Sequence, residues 1–282
     1  MLYMDCHTHT AASPDGSGTV EQLCTRALEL HLPVLTVTDH VEMNRFFSQG
    51  YYGTQPRNAW EAYDHVQVME TSLSNITALK GQYDGLTLLC GMEMGQPQDD
   101  FALSASVVQD QRLDFVIASL HELTGKEDFF NLDYAVEPVE PLLTSYFDTL
   151  YRICTWGKFD VLGHITYPLR YMVGEAGLNV DLSPYTDQIV ACFDVLIREH
   201  KGIELNTSGL RQNYGKTFPD VDLLQLYHDM GGKILTLGSD AHCAQDLAKG
   251  IDTGARLAHE AGFTKLCYFV QHEPVWVSLD DV

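Results

Sequence analysis

The amino-terminal segment at residues 2–10 reads LYMDCHTHT, a short apolar run followed by two histidines. Residues 2–6 have the length and composition of a buried β-strand. His7 and His9 come next, and on an extended chain residues two apart point to the same side, about 6.5–7 Å apart along the backbone. The segment therefore predicts a strand that carries two neighbouring ligands at its carboxyl end.

Short apolar runs recur along the chain, and each is followed by a polar cluster and then by a helical pattern. The later runs are at residues 34–38, 87–92, 115–120, 160–162, 203–206, 234–238 and 266–270. Several are rich in β-branched residues, which is typical of strands buried on both faces. Amphipathic stretches lie between them, as at Val20, Leu23, Cys24 and Ala27, where apolar residues are three and four apart.

Seven or eight such units predict an α/β fold, a (β/α) barrel of the TIM type. A doubly wound sheet is the alternative, but no GxGxxG motif follows the first strand to support it. The 282 residues could form one large barrel or two small domains. Because no repeat, low-complexity tract or Pro/Ser-rich linker divides the chain, we expect one domain over residues 1–282.

The predicted strands end in polar residues of one chemical kind. His7 and His9 end the first strand, and the later ends carry His40, Glu93, His121, His164, Asp240 and His242. In a barrel these ends all lie at one mouth, where active sites of such folds are built. A single histidine near a strand is more often a hydrogen-bonded structural residue. Six of the 12 histidines at strand ends beside two acids instead predict a multinuclear metal site.

Composition restricts the partners. With 17 basic and 39 acidic residues the formal net charge is −22, so the surface should repel phosphate backbones and anionic membranes. The apolar runs are too short for a membrane span, and no signal peptide is evident. Seven scattered cysteines without a CxxC pair are typical of a reducing compartment, and we expect a cytoplasmic protein. Cys6 and Cys243 neighbour the histidines, but strand alternation argues against metal binding by either.

Seven motifs stand in one order across residues 5–242. They are His7-Thr-His9, Ser13-Pro-Asp15-Gly16, Thr38-Asp39-His40, Gly91-Met-Glu93, Ser119-Leu-His121, Gly163-His164 and Ser239-Asp240-Ala-His242. The complete ordered set resembles the PHP (polymerase and histidinol phosphatase) family. Asp15, the segment from Glu204 to Arg211, and Arg170-Tyr171 are similar to its histidinol-phosphatase branch, whereas Thr166 stands where that branch would have an aspartate.

The resemblance implies a distorted (β/α)7 barrel with three divalent ions of zinc, manganese or iron at its mouth. One ion would take His7, His9, Glu93 and Asp240, a second Glu93, His121 and His164, and a third Asp15, His40 and His242. Nitrogen and carboxylate donors without thiolates suit these ions. Bound ions lower the pKa of water towards about 7, and a metal-bound hydroxide held by Glu93 and Asp240 would attack the phosphate.

Two further segments could meet the substrate. Arg170 and Arg211 lie in polar segments after strands, where a guanidinium fork could clamp phosphate oxygens or could equally form a salt bridge in an acidic protein. The aromatic stretch at residues 44–63 is predicted to lie over the mouth as a lid or wall, or else to be a packed surface excursion.

These features predict a phosphomonoesterase that hydrolyses L-histidinol phosphate at a trinuclear site. The alternatives are another small phosphomonoester as substrate, a PHP-type nuclease, an amidohydrolase-type enzyme and a non-catalytic metal-binding module. The charge of −22 speaks against the nuclease, and no lysine falls at a strand end to bridge metals as in amidohydrolases. We expect a small-molecule substrate and neither nucleic acid nor membrane as a partner.

Overall fold

The computed structural model describes residues 4–43 and 64–279, and a parallel sheet lies at its centre. Its strands are β1 (Val34–Val37), β2 (His40–Glu42), β3 (Thr87–Gly95), β4 (Phe115–Ser119), β5 (Val161–Leu162), β6 (Gly202–Asn206) and β7 (Leu235–Gly238). They pair in the order β1-β3-β4-β5-β6-β7, and β2 also pairs with β3. Because β1 and β2 both lie along β3, β2 continues β1 after a short break.

The amino-terminal segment closes this sheet into a barrel. Asp5 forms a parallel bridge to Leu35 in β1, and Thr8 forms a parallel bridge to Ala241, just after β7. The segment therefore lies between the first and the last strand of the sheet. This confirms the distorted barrel: the segment is joined by single bridges rather than a long ladder, and β5 has only two residues.

Helices cover the outside of the sheet. They are α1 (Val20–Glu29), α2 (His65–Leu79), α3 (Phe101–Val107), α4 (Val139–Trp156), α5 (Thr186–Arg198), α6 (Val221–Asp229) and α7 (Ile251–Glu260). A capping box formed by Thr19 and Gln22 begins α1, which buries the predicted apolar face. Among the described residues no helix is long and apolar enough to cross a bilayer.

The last predicted strand is not part of the barrel. Residues 266–270 lie in β8 (Lys265–Val270), which pairs antiparallel with β9 (Glu273–Ser278). Gln271 and His272 between them both have positive φ, as a two-residue hairpin turn requires. An apolar run predicts a strand but not its partner, and here the chain turns back before any helix can form. The predicted lid at 44–63 lies outside the described residues.

Candidate metal centre

The carboxylate of Glu93 lies at the centre of a histidine cluster. Its Oε2 is 3.2 Å from His7 Nε2 and 2.9 Å from His40 Nδ1. Its Oε1 is 2.8 Å from His164 Nε2 and 3.1 Å from His121 Nε2. The register of β2 against β3 places His40 directly opposite Glu93. The two oxygens of Glu93 therefore face different histidine rings.

The other predicted ligands extend this cluster. Asp240 Oδ1 is 3.5 Å from His9 Nε2, and Asp15 Oδ2 is 3.2 Å from His242 Nε2 and 3.6 Å from His40 Nε2. The ring of His9 stacks on those of His40 and His242, with centroids 4.3 and 4.1 Å apart. All nine predicted ligands therefore lie in one continuous cluster.

Four triplets within the cluster have ligand atoms that all lie within 4.8 Å of one another. They are His9, His40 and His242; His7, His9 and Asp240; His7, Glu93 and His164; and His40, Glu93 and His121. The triplets overlap with the sets that the family resemblance implied but do not reproduce them one for one. Because the triplets share members, their donors form one continuous group rather than separate ones.

Several buried donor atoms in the cluster have no hydrogen-bond partner among the described residues. They include His7 Nε2, His9 Nε2 and Glu93 Oε2. Buried polar groups normally find partners, because an unpaired one costs free energy. A divalent cation would satisfy these atoms together, and nitrogen and carboxylate donors suit zinc, manganese and iron. The residues present therefore fit a divalent metal. No described cysteine is a member of any of the four triplets.

Two buried glutamates orient the ligands from outside, and the sequence reasoning did not single them out for this. Glu204 Oε1 is 2.6 Å from His7 Nδ1, and its Oε2 accepts the backbone N–H of His164 at 3.0 Å. A proton on Nδ1 that is donated to Glu204 leaves the lone pair of His7 Nε2 facing the cluster.

Glu42 has the same role on the opposite side. Its Oε1 is 3.1 Å from His121 Nδ1 and 3.5 Å from His40 Nδ1, and its Oε2 accepts Gln96 Nε2 at 2.5 Å. A Cβ at Gly95 would collide with Glu42, as one at Gly238 would with Glu204. The sequence signal that could have identified these two glutamates is an acid within an apolar strand, beside a glycine of the neighbouring strand.

Polar contacts also hold the loops that carry Asp15 and Asp240. Asp39 accepts the N–H and hydroxyl of Thr10 at 2.7 and 2.8 Å and the Ser13 hydroxyl at 2.8 Å, which fixes the loop before Asp15. Asp240 has a φ of 56°, which a non-glycine residue rarely adopts without support. Arg211 supplies that support, because its guanidinium donates to the carbonyl oxygens of Ser239 and Asp240 at 2.5 and 2.7 Å.

Arg170 lies closer to the cluster. Its Nη2 donates to Asp240 Oδ2 and to the Ser208 hydroxyl, both at 2.8 Å. Its Cζ lies 5.1 Å from the ring centroid of Tyr167 and 5.2 Å from that of Phe218. The residue begins a π-helical turn, Arg170–Glu175, a feature that recurs at functional sites.

The cluster carries mixed protonation states when no ion is considered. Burial alone would raise the pKa of Glu93, but His40, His7 and His121 hold it well below its usual value. Burial likewise works against a charged His121, but Glu42 and Glu93 raise its pKa to about 10. For His9, burial and the neighbouring His242 and His40 lower the pKa to about 3, so this ring is neutral. Neutral imidazole is the form that binds metals.

Comparison with known proteins gives a consistent picture. The model of the PHP domain family matches residues 5–208. A Thermotoga maritima protein named "Probable histidinol-phosphatase" is 25% identical, covering 93% of this chain and 94% of its own. The histidinol-phosphatase of Bacillus subtilis is 26% identical, covering 88% of this chain and 96% of its own. The crystal structure of the Lactococcus lactis histidinol phosphate phosphatase, complexed with zinc, L-histidinol and phosphate, has a similar fold. Its TM-score is 0.79 at 21% identity, with 96% of this chain and 98% of that chain covered.

Proposed function

The chain belongs to the PHP domain family, and from this premise we propose that it hydrolyses L-histidinol phosphate to L-histidinol and inorganic phosphate. The observation that carries the proposal is the buried cluster centred on Glu93, with its unpaired donor atoms and an arginine beside it. Similarity to histidinol-phosphatases over nearly the whole chain supports this substrate.

We infer that the centre holds three divalent ions of zinc, manganese or iron. Eight of the nine side chains, all except Asp15, form four overlapping triplets, and two of these contain Glu93, which supports more than one ion. Ions bound there would supply an activated water and offset the charge on the phosphoryl group. Glu93 would bridge two ions through its separate oxygens, while Glu204 and Glu42 keep the imidazole nitrogens aimed inwards.

We propose that Arg170 binds the phosphate. Its guanidinium is already beside Asp240 and is held between two aromatic rings, so little freedom is lost when it donates to a phosphoryl oxygen. Arg211 first serves to hold the loop of Asp240, and its contact with phosphate stays a prediction.

A small-molecule substrate fits better than nucleic acid. The net charge of −22 opposes binding of a long polyanion, whereas a local group of divalent ions would still attract one phosphate. The seven cysteines are all unpaired, which supports a reducing, cytoplasmic location.

Phosphate release from L-histidinol phosphate by the metal-loaded protein tests the proposal. We expect turnover that a chelator abolishes and that divalent metal restores. Glu93→Gln should lose more than about 100-fold in kcat together with bound metal. Glu70→Gln, which removes one charge from an exposed side chain paired with Arg112, is the matched control and should behave as the wild type.

Other outcomes would identify the alternatives. Turnover of phenyl phosphate but not of L-histidinol phosphate would show that the enzyme is a phosphomonoesterase with a different substrate. Metal-dependent digestion of single-stranded DNA, with no phosphomonoester turned over, would establish the nuclease.

A further inference from the structure

A carboxylate beside the metal centre has no part in the chemistry described so far. Asp128 lies on the loop after β4 and precedes the 3-10 turn Phe129–Asn131. Its Oδ1 accepts the backbone N–H of Phe130 at 2.8 Å and the Tyr167 hydroxyl at 3.0 Å. No basic side chain of residues 4–43 and 64–279 forms an ion pair with it. Burial raises the pKa of Asp128, although His121 partly offsets this. A cation beside this carboxylate would therefore be favourable.

Tyr167 places Asp128 at a defined side of the cluster. The tyrosine ring centroid is 4.9 Å from that of His121 and 5.1 Å from that of His164. The guanidinium of Arg170 lies over the same ring, whereas Asp128 is bonded to the hydroxyl at its far end. A positive group and a negative group thus flank one ring that borders the candidate metal site.

Aromatic side chains adjoin the carboxylate. The Tyr171 hydroxyl is 3.1 Å from the Tyr167 hydroxyl, and the Tyr171 ring meets that of Phe130 edge to face with centroids 5.5 Å apart. Phe130 is 68% exposed, which is unusual for phenylalanine. Exposed aromatic surface beside a carboxylate suits an organic cation or a flat heterocycle.

We propose that Asp128 binds the ammonium group of the substrate and that Phe130 and Tyr171 contact the group attached to the ammonium-bearing carbon. This inference rests on the proposed function and extends it to a substrate class, the phosphomonoesters of amino alcohols. In L-histidinol phosphate the ammonium is on the carbon next to the one that bears the ester oxygen. A phosphoryl group held near Arg170 therefore leaves the ammonium on the Asp128 side of Tyr167, with the imidazole beyond it.

The test is Asp128→Asn, assayed with three substrates in the metal-loaded protein. The amide oxygen can still accept from Tyr167 and from the Phe130 backbone, so the fold should be kept. L-histidinol phosphate and phosphoethanolamine carry the ammonium at the same position, and phenyl phosphate carries none. We expect KM to rise roughly 10- to 100-fold for the two amines, the effect of one charge-assisted hydrogen bond, and to change less than about twofold for phenyl phosphate.

Asp133→Asn is the matched control. Asp133 lies on the same loop, is exposed and accepts the Ala135 backbone N–H, so its variant should leave all three KM values unchanged. The proposal would be overturned if Asp128→Asn kept the wild-type KM for both amines. It would also be overturned if the KM for phenyl phosphate rose by as much as the KM for the amines.

Failure of the proposed function is distinguishable from failure of this inference. If the wild type hydrolyses phosphoethanolamine and phenyl phosphate but not L-histidinol phosphate, the assigned substrate is wrong, and the comparison of amine with phenyl ester still decides the role of Asp128. If the wild type hydrolyses none of the three, calorimetric binding of L-histidinol decides it. Equal affinity of wild type and Asp128→Asn would then refute the ammonium contact.

Discussion

The two ends of the barrel both bury carboxylates but provide them with different partners. At the amino ends of the strands, Asp114 accepts the backbone N–H of Cys90 at 2.9 Å and Lys80 Nζ at 2.5 Å. Asp160, next to it, accepts the Val116 backbone N–H at 2.8 Å and contacts His272 Nδ1 at 2.9 Å. Each of these acids is paired with a backbone donor and with a basic side chain.

At the carboxyl ends, Glu93 instead lies among several imidazole rings. Glu93 has five imidazole nitrogens within 3.6 Å, and yet its Oε2 makes no hydrogen bond with the described residues. His7 Nε2 and His9 Nε2 likewise make no hydrogen bond with any described residue. The difference teaches that complete pairing of a buried acid indicates a structural role, whereas incomplete pairing in a group of ligands indicates a site for a cation.

The largest effect that would sharpen this contrast is expected for Glu204→Gln. The amide would place a donor where Glu204 now accepts both His7 Nδ1–H and the His164 backbone N–H. We expect metal affinity to fall about 10- to 100-fold, because outer carboxylates orient metal-binding histidines. Metal retained after dialysis against graded chelator concentrations measures this, with Glu70→Gln as the control for lost charge. Unchanged retention would mean that Glu204 belongs to the structural class.

Asp114→Asn should instead lower stability and leave metal binding unchanged. The side chain is 1% exposed and bonds to Lys80, so its loss should lower the free energy of unfolding by about 1–3 kcal/mol. Urea unfolding of the metal-free protein measures the loss. Metal content and kcat of the folded variant should stay within about twofold of wild type. Loss of metal without loss of stability would contradict the division between the two ends.

The sequence predicted the metal cluster better than its surroundings. His7, His40, Glu93 and His164 could be grouped because parallel strands end at one mouth, whatever the details of the packing. Glu42 and Glu204 each contact a histidine ring of another segment, and such pairs depend on the register of the strands. A single acid in an apolar strand does not reveal that register.

The fold, too, could be predicted in part. The repeated strand–helix pattern predicted the barrel, since right-handed crossovers leave few other arrangements. The run at residues 266–270 was counted among the strand–helix units but belongs to the hairpin of β8 and β9. Apolar periodicity could not distinguish the two, because it is the same in a parallel and an antiparallel strand. Asp128 was not found because its role depends on Tyr167, which lies far away in sequence and adjoins it only in the folded protein.

The smallest expected effect is a pH-dependent change in stability at the amino ends of the strands. The hydrogen bond to Asp160 raises the pKa of His272 above its usual value of about 6.5, although partial burial opposes this. A raised pKa in the folded state means that the pair stabilises the fold fully below about pH 6.5, and that this stabilisation is lost as pH rises through the raised value. Because the side chain is 39% exposed, the contribution should be below about 1 kcal/mol.

His272→Asn tests this with little backbone change, since asparagine tolerates the positive φ of 65° at this turn. The difference in unfolding free energy between wild type and variant, measured in urea, should be larger at pH 5.5 than at pH 9. An equal difference at both pH values would show that the contact contributes by packing alone. Metal content should be unaffected at either pH, because His272 lies at the opposite end of the barrel strands from Glu93. A pH-dependent loss of metal in this variant would show that the two ends of the barrel are coupled. The carboxylates at both ends would then belong to one network of interactions rather than to two separate ones.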